Sequence, residues 1–198
     1  MNKCARGPAP GPLQEQGDEI GRDYAQQRHA DPSYSYRWPE RLYDVARAAL
    51  HEMTGEHCSY CDGSPMDSVG EAQIDHFRPR SLPQFYELVC TWSNLFLTCV
   101  ACNKAKRDAW NELLLRPDAD DYRFERYFQY RSLTGELEPN GAASPGDQAC
   151  AAKTIELLKL NRPGACTNRK LAVHLYTTLP ADERSAVGYR FLIPLCIR

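Results

Sequence analysis

Two short segments decide the fold of this chain: Cys58-Ser59-Tyr60-Cys61 and Cys99-Val100-Ala101-Cys102. Each segment is a C-x-x-C knuckle, and together they supply four thiolates, the tetrahedral ligand set that Zn²⁺ prefers in structural sites. Structural zinc contributes roughly 10 to 16 kcal/mol in small domains, which is comparable with the whole stability of a protein this size. The sequence therefore predicts a structural zinc site whose ligands are Cys58, Cys61, Cys99 and Cys102.

The chain has nine cysteines, so disulfide bonds are the alternative use of these thiols. Persistent disulfides are rare in a reducing cytosol, where paired C-x-x-C segments are typical of metal sites. An odd number of cysteines would also leave one thiol unpaired in a secreted protein. We therefore favour the metal site, and expect four of the other cysteines to be small buried apolar residues: Cys90, Cys150, Cys166 and Cys196.

The composition is that of an ordinary globular protein of 198 residues. Lys and Arg number 24 against 26 Asp and Glu, which gives a net charge of −2. This balance excludes a polycation that binds nucleic acid through bulk charge, but it leaves room for a local basic patch. No apolar run approaches the roughly 18 residues of a spanning helix, and residues 1–8 lack the apolar core of a signal peptide. We therefore expect a cytoplasmic protein without membrane contact.

The pattern of elements predicts an α+β fold. We interpret residues 1–37 as an extended N-terminal arm, because the Pro- and Gly-rich segment 7–12 excludes helix; a disordered terminus fits the composition equally well. A zinc-stabilised core over 38–116 should hold an amphipathic helix from Pro39 to Gly55, short strands over 72–77 and 92–98, and a helix from Cys99 to about Leu115. Residues 117–198 predict a hairpin over 124–138, helices from about Asp147 and over 164–178, and a last stretch, 190–198, that is either a strand or a partner contact.

The chemistry-bearing residues lie between and just after the knuckles. Asp75-His76 ends the first strand, Asn94 lies on the returning strand, and Asn103 follows Cys102. Carboxylate and amide oxygens are hard ligands suited to Mg²⁺ or Mn²⁺, and a neutral imidazole nearby can take a proton from an attacking water. Five basic residues surround this set and predict a phosphate-binding surface, although the last three could simply form a solvated helix face: Arg78, Arg80, Lys104, Lys106 and Arg107.

Three segments in combination resemble the motif of the zinc-bound HNH nucleases: Ile74–Arg80, Trp92–Leu95 and Cys99–Lys106. The resemblance implies a ββα-metal finger with structural zinc knuckles, flanked by helices and a small hairpin. It also implies that His76 is the general base, that Asp75 and Asn103 hold the catalytic Mg²⁺ or Mn²⁺, and that Asn94 ties the loop between the strands and orients His76. The last motif position is Asn103 rather than histidine, which favours a hard ion over zinc in the active site.

A narrower resemblance covers residues 38 to about 176 and includes the Cys58–Cys61 knuckle, the 74–80 block and the segments 128–137 and 154–162. These look like the PtuB-type HNH nucleases of Septu and some retron anti-phage systems, which work with an ATPase of the PtuA type. The resemblance implies a defence nuclease that works with such a partner. We expect residues 117–198 to contact it, because the nuclease finger does not need them; the N-terminal arm is a candidate for the same reason.

Two functions of different classes follow. One is a metal-dependent endonuclease acting on DNA, with RNA such as tRNA still open. The other is a zinc-stabilised module that binds nucleic acid or protein without catalysis. The joint presence of Asp75, His76 and Asn103 favours the nuclease, because a pure binder has no need to keep them together.

Overall fold

The computed structural model of the protein describes residues 1–64 and 71–196. Its centre is an antiparallel pair of strands, β1 (Gln73–His76) and β2 (Leu95–Thr98), in which Gln73 faces Thr98 and His76 faces Leu95. Helix α3 (Val100–Lys106) follows β2 directly. The expected order of strand, strand and helix is confirmed, and the fold is α+β with short strands and many helices.

Two boundaries of this central unit differ from the prediction. Residues Trp92–Asn94 form a 3₁₀ turn before β2, so the returning strand starts at Leu95 and not at residue 92. The helix predicted to reach Leu115 ends at Lys106, since Arg107 has a left-handed φ of 47° that no α-helix accommodates.

Helix α2 (Glu40–Thr54) is the entry helix that the periodicity predicted. Leu42, Ala46 and Leu50 recur at a spacing of four and lie fully inside the core. Gly55 ends the helix with a φ of 59°, the left-handed conformation that glycine adopts without steric cost. The helix packs on β2 and supports the central unit from one side.

The prediction of an extended arm over residues 1–37 is wrong, because helix α1 (Gly11–Ala30) occupies most of that segment. Pro12 lies in its first turn, where proline is favoured because its fixed φ is already helical and no partner for an N–H is missing. Gly17 and Gly21 face the 3₁₀ helix Pro83–Cys90, and a Cβ on Gly17 would lie 2.9 Å from the carbonyl oxygen of Cys90. Gly17 and Gly21 therefore form a close packing surface on α1.

The residues before α1 are also fixed to the core. The Arg6 guanidinium donates to an Asp118 carboxylate oxygen at 2.6 Å and to the carbonyl oxygens of Trp92 and Leu95. Its carbon atom Cζ lies 4.6 Å from the centre of the Phe96 ring. The N-terminal segment thus covers the strand end of the central unit.

The C-terminal region contains the predicted helices and a hairpin that is shorter than predicted, because residues 124–127 are helical and not part of a strand. A short helix, α4 (Phe124–Tyr127), leads into β3 (Phe128–Arg131), which pairs antiparallel with β4 (Glu136–Pro139). Helices α5 (Pro145–Leu158) and α6 (Pro163–Thr178) follow.

The end of the described chain is helical. The strand interpretation of the last stretch is wrong for residues 190–196, which form a 3₁₀ turn and a short helix, α7 (Ile193–Cys196). Phe191 and Leu192 are buried in the chain's own core. Within the described residues, no helix combines the length and the apolar character needed to cross a membrane.

Candidate functional site

The four knuckle cysteines converge on one point. Their sulfur atoms lie within 4.8 Å of one another, with Cys58, Cys61 and Cys102 buried and Cys99 half-buried. Backbone N–H groups support two of the sulfurs: Gly63 donates to Cys61 Sγ at 3.4 Å, and Cys99 donates to Cys58 Sγ at 3.3 Å. Four converging sulfurs with backbone donors around them fit a tetrahedral metal ion, so this cluster can hold a zinc.

The protonation of these thiols follows from their contacts. The pKa of Cys61 lies well below its ordinary value because Cys102, Cys58 and Cys99 donate hydrogen bonds to its sulfur. Burial raises the pKa of Cys58 well above its ordinary value. The cluster thus stabilises some thiolate character, which is the form that binds metal.

Arg162 is a neighbour of this cluster that the sequence analysis missed. Its guanidinium nitrogens lie 3.5 Å from Cys102 Sγ, 3.7 Å from Cys61 Sγ and 3.9 Å from Cys99 Sγ. No local spacing could have indicated this contact, because Arg162 is 60 residues beyond Cys102 in the chain.

Asp75 points inward from β1. Its Oδ2 atom lies 2.9 Å from the Lys106 ammonium and accepts a hydrogen bond of 2.6 Å from the Tyr60 hydroxyl. Burial raises the pKa of this carboxyl group, and the nearby Lys106 charge opposes that effect. The Lys106 ammonium also donates to the carbonyl oxygen of His76 at 2.7 Å, so it links both residues of the Asp-His pair.

Asn103 reaches the same face of β1 from α3. Its Nδ2 atom donates to Gln73 Oε1 at 2.7 Å, and Gln73 shares its strand face with Asp75 because alternate strand residues point the same way. Gln73 was not among the predicted site residues. The side-chain oxygens of Gln73, Asp75 and Asn103 are hard donors, so this face fits Mg²⁺ or Mn²⁺ in chemistry.

His76 lies at the end of β1 with only 8% of its surface exposed. Its Nε2 atom is 2.9 Å from the carbonyl oxygen of Val89, which can only accept, so Nε2 carries the proton of the neutral ring. Burial lowers the pKa of His76 to about 4. The Trp38 ring stacks nearby, with ring centres 6.2 Å apart. The imidazole is therefore neutral at pH 7, with Nδ1 as the basic nitrogen.

Asn94 lies in the 3₁₀ turn before β2 and crosses the loop that follows β1. Its Oδ1 atom accepts from the Arg78 N–H at 2.8 Å, and its Nδ2 atom donates to the carbonyl oxygens of Arg78 and Leu88 at 3.1 Å each. Leu88 is followed by Val89, whose carbonyl oxygen is the hydrogen-bond partner of His76 Nε2. Asn94 therefore connects the two backbone segments that surround the imidazole.

The predicted basic surface is only partly present. Arg78, Lys104 and Arg107 are exposed, and Arg80 is half-buried with its guanidinium 3.4 Å from the carbonyl oxygen of Tyr36. Lys106 is 1% exposed and its ammonium is bound inside, so its prediction as part of an exposed phosphate-binding surface is wrong. A charge run in the sequence does not distinguish the helix face that packs on β1 from the face in solvent.

The described structure contains a two-stranded antiparallel sheet, a following helix, an Asp-His pair on the first strand and a four-cysteine cluster, which is the ββα arrangement that the sequence motif implied. Residues 58–109 match the family model described as HNH endonuclease. This part of the chain is therefore similar to the HNH endonucleases.

Curated relatives extend the similarity beyond this domain. The "Retron Vc95 putative HNH endonuclease" of Vibrio cholerae serotype O1 biovar El Tor is 28% identical over 134 residues, which cover 64% of this chain and 62% of the relative. Two proteins named "Septu protein PtuB" also match. The one from Bacillus thuringiensis is 30% identical over 76 residues, 37% of this chain and 29% of its own length. The one from Bacillus mycoides (strain KBAB4) is 24% identical over 126 residues, which cover 57% of this chain and 35% of the relative. The matches thus span less than two thirds of each relative.

Proposed function

We propose that this protein is a Mg²⁺- or Mn²⁺-dependent endonuclease that hydrolyses phosphodiester bonds in DNA. The observation that carries the proposal is the arrangement around β1: Asp75 contacts Lys106 of α3, Asn103 of α3 contacts Gln73 two residues before Asp75, and His76 follows Asp75 directly. A carboxylate and an amide oxygen, with a neutral imidazole on the next residue of the strand, are the groups that metal-assisted hydrolysis uses.

Each residue has a distinct task in this proposal. Asp75 and Asn103 hold the divalent ion, which when bound supplies Lewis-acid stabilisation of charge on the phosphate. His76 accepts the proton of the attacking water at Nδ1, while the Val89 carbonyl holds the ring in the required tautomer. Asn94 keeps the loop beside His76 in place. Arg78, Arg80, Lys104 and Arg107 contact the phosphates of the substrate.

Zn²⁺ has a structural role in the proposal, with Cys58, Cys61, Cys99 and Cys102 as its ligands. The convergence of four sulfurs supports this assignment. The four ligands come from segments on both sides of β1, so the ion would join the ends of the central unit. A reducing cytoplasm would keep these thiols available for the metal.

The relatives support a place in anti-phage defence. Their names refer to retron and Septu systems, and we infer that this chain is likewise the nuclease effector of such a complex, working with a PtuA-type ATPase. The C-terminal region, residues 117–198, is the part we assign to that partner.

Two features of the site favour the alternative function, a binding module without catalysis. The carboxylate of Asp75 is already neutralised by Lys106, and His76 is almost fully buried. Catalysis would thus require a carboxylate oxygen of Asp75 that is open to a divalent ion, and water that reaches His76.

Cleavage of supercoiled plasmid tests the two functions. We expect cleavage by the wild type in Mg²⁺ or Mn²⁺ and none in EDTA, with and without the ATPase partner as separate arms. The His76→Ala variant should lose about 10²- to 10⁴-fold in rate. His174→Ala, at an exposed position on α6, is the matched control and should cleave normally. Equal cleavage by His76→Ala would remove His76 from the mechanism, and DNA binding without cleavage in every arm would favour the binding module.

A further inference from the structure

Arg162 is placed on the cysteine cluster by the C-terminal helices. It is the residue immediately before α6, and its carbonyl oxygen accepts from the N–H groups of Ala165 and Cys166 in the first turn of that helix. Its own N–H donates to the carbonyl oxygen of Lys159, just after α5, at 3.1 Å. The backbone of Arg162 is therefore fixed by the junction of two helices, and its side chain extends from there to the sulfurs.

The charge at the cluster explains what a guanidinium does there. Four thiolates around one Zn²⁺ carry a net charge of −2, and buried charge is costly unless it is paired or hydrogen-bonded. A guanidinium is always charged at neutral pH and offers several N–H donors in a rigid plane. Arg162 directs such donors toward Cys61, Cys99 and Cys102, the three sulfurs that lie on its side of the cluster.

We propose that Arg162 is a positioning residue of the zinc site, which donates hydrogen bonds to three ligand sulfurs and offsets part of their negative charge. The inference rests on the proposed binding of zinc by these cysteines. Because α5 and α6 place Arg162, zinc retention by the nuclease domain depends on the docking of the C-terminal helices. The C-terminal region is thus a part of the metal site and not only an attachment for a partner.

Lys104 is a second cationic side chain near the cysteine cluster, and it provides a control for Arg162. Lys104 lies one helical turn beyond Val100 and lines the same groove beside Cys61 and Cys99, but it is exposed and makes no sulfur contact among the described residues. Lys104→Gln therefore removes one positive charge from the groove without removing a hydrogen bond to sulfur. Arg162→Gln removes the same charge together with the sulfur contacts.

The experiment measures zinc in the full-length protein. Zinc content per chain is determined first, and the rate of zinc release to an excess of a coloured chelator is then followed for the wild type, Arg162→Gln, Arg162→Lys and Lys104→Gln. We expect one zinc per chain in the wild type and a release rate about 10- to 100-fold higher in Arg162→Gln, the usual effect of losing a partner of a metal ligand. Lys104→Gln should release zinc at the wild-type rate.

Arg162→Lys keeps the charge but cannot span three sulfurs, so its release rate should fall between those of the wild type and Arg162→Gln. It also provides the test if Arg162→Gln is insoluble. Wild-type release rates in both Arg162 variants would overturn the role of Arg162 and leave the zinc site intact. A wild-type protein that holds and binds no zinc would overturn both. Equal acceleration in Lys104→Gln would overturn the sulfur contacts and reduce the effect to the charge of the groove.

Discussion

The side chain of Asn94 bonds to three backbone groups that belong to two separate segments, and these contacts make it hard to replace. We expect Asn94→Ala to lower the free energy of unfolding by about 1 to 3 kcal/mol for each buried backbone group left without a partner. The measurement is urea denaturation. Ser93→Ala, at the exposed neighbouring position, should unfold like the wild type.

Asn94→Ala should also impair activity, since the Leu88-Val89 segment that holds His76 loses its connection to the loop after β1. Cleavage should fall at temperatures where the variant is still folded. Full activity together with wild-type stability would show that Asn94 does not hold this loop.

Lys106 and Asp75 form a buried ion pair, so neither charge is tolerated alone. We expect Lys106→Met to lower the free energy of unfolding by about 3 to 5 kcal/mol, because it leaves the Asp75 carboxylate buried without its cation. The double variant Lys106→Met with Asp75→Asn should recover much of this loss, and a double-mutant cycle in urea measures the coupling. Strictly additive effects would contradict a direct interaction between the two side chains.

At the scale of elements, the contact of α1 with the 3₁₀ helix Pro83–Cys90 depends on two glycines. A Cβ on Gly21 would overlap the carbonyl oxygen of Glu87, which is backbone and cannot move aside easily. We expect Gly21→Ala to lower the free energy of unfolding by about 1 to 3 kcal/mol, the usual cost of overpacking. Thermal unfolding measures the change.

Gly11→Ala is the matched control in the same helix. A Cβ at this position meets no atom within 4 Å, so the substitution should leave stability unchanged or raise it slightly. Equal melting temperatures for Gly21→Ala and the wild type would mean that α1 does not pack through its glycines.

Elements with a strong local pattern could be predicted from the sequence. Helix α2 shows apolar residues at helical spacing and a glycine stop, and the hairpin of β3 and β4 alternates around a turn. Helix α1 could not be predicted in this way, because its buried residues include glycines that give no apolar signal. The early end of α3 was also hidden, since nothing in the local sequence requires Arg107 to adopt a left-handed conformation.

In the candidate site, too, local sequence patterns predicted some residues and tertiary packing determines the others. The knuckle spacing identified all four cysteines, because metal ligands of a C-x-x-C segment are close in sequence. Arg162 and the inward direction of Lys106 depend on tertiary packing, and no spacing rule predicts them. The catalytic roles of Asp75, His76, Asn94 and Asn103 remain predictions.

At the scale of the whole molecule, the C-terminal segment contacts the first knuckle through Arg190. Arg190 donates to the buried carboxylate of Asp62 at 2.6 Å and to the carbonyl oxygen of Thr54 at 2.9 Å. Asp62 directly follows the knuckle residue Cys61. The C-terminal segment thus braces the end of α2 and the knuckle at once.

We expect Arg190→Gln to lower the free energy of unfolding by about 3 to 5 kcal/mol, because it leaves the Asp62 carboxylate buried without its partner. Chemical denaturation measures the loss. Arg184→Gln is the control, since the Arg184 guanidinium donates to the carbonyl oxygen of Leu179 and pairs with no carboxylate in the described chain. Unchanged stability in Arg190→Gln would indicate that the C-terminal segment and the knuckle unfold independently.

Helix α3 has only seven residues, yet it carries Cys102 toward the other three knuckle sulfurs, and Asn103 and Lys106 toward the strand face. Each residue added to a helix rotates all that follow by about 100°. One insertion after Cys102 would therefore turn Asn103 and Lys106 away from β1 while leaving the cysteines in place. The cysteine cluster and the β1 face therefore both depend on the rotation of this one helix. We expect insertions within residues 99–106 to be recovered rarely, or not at all, among functional clones of an insertion library.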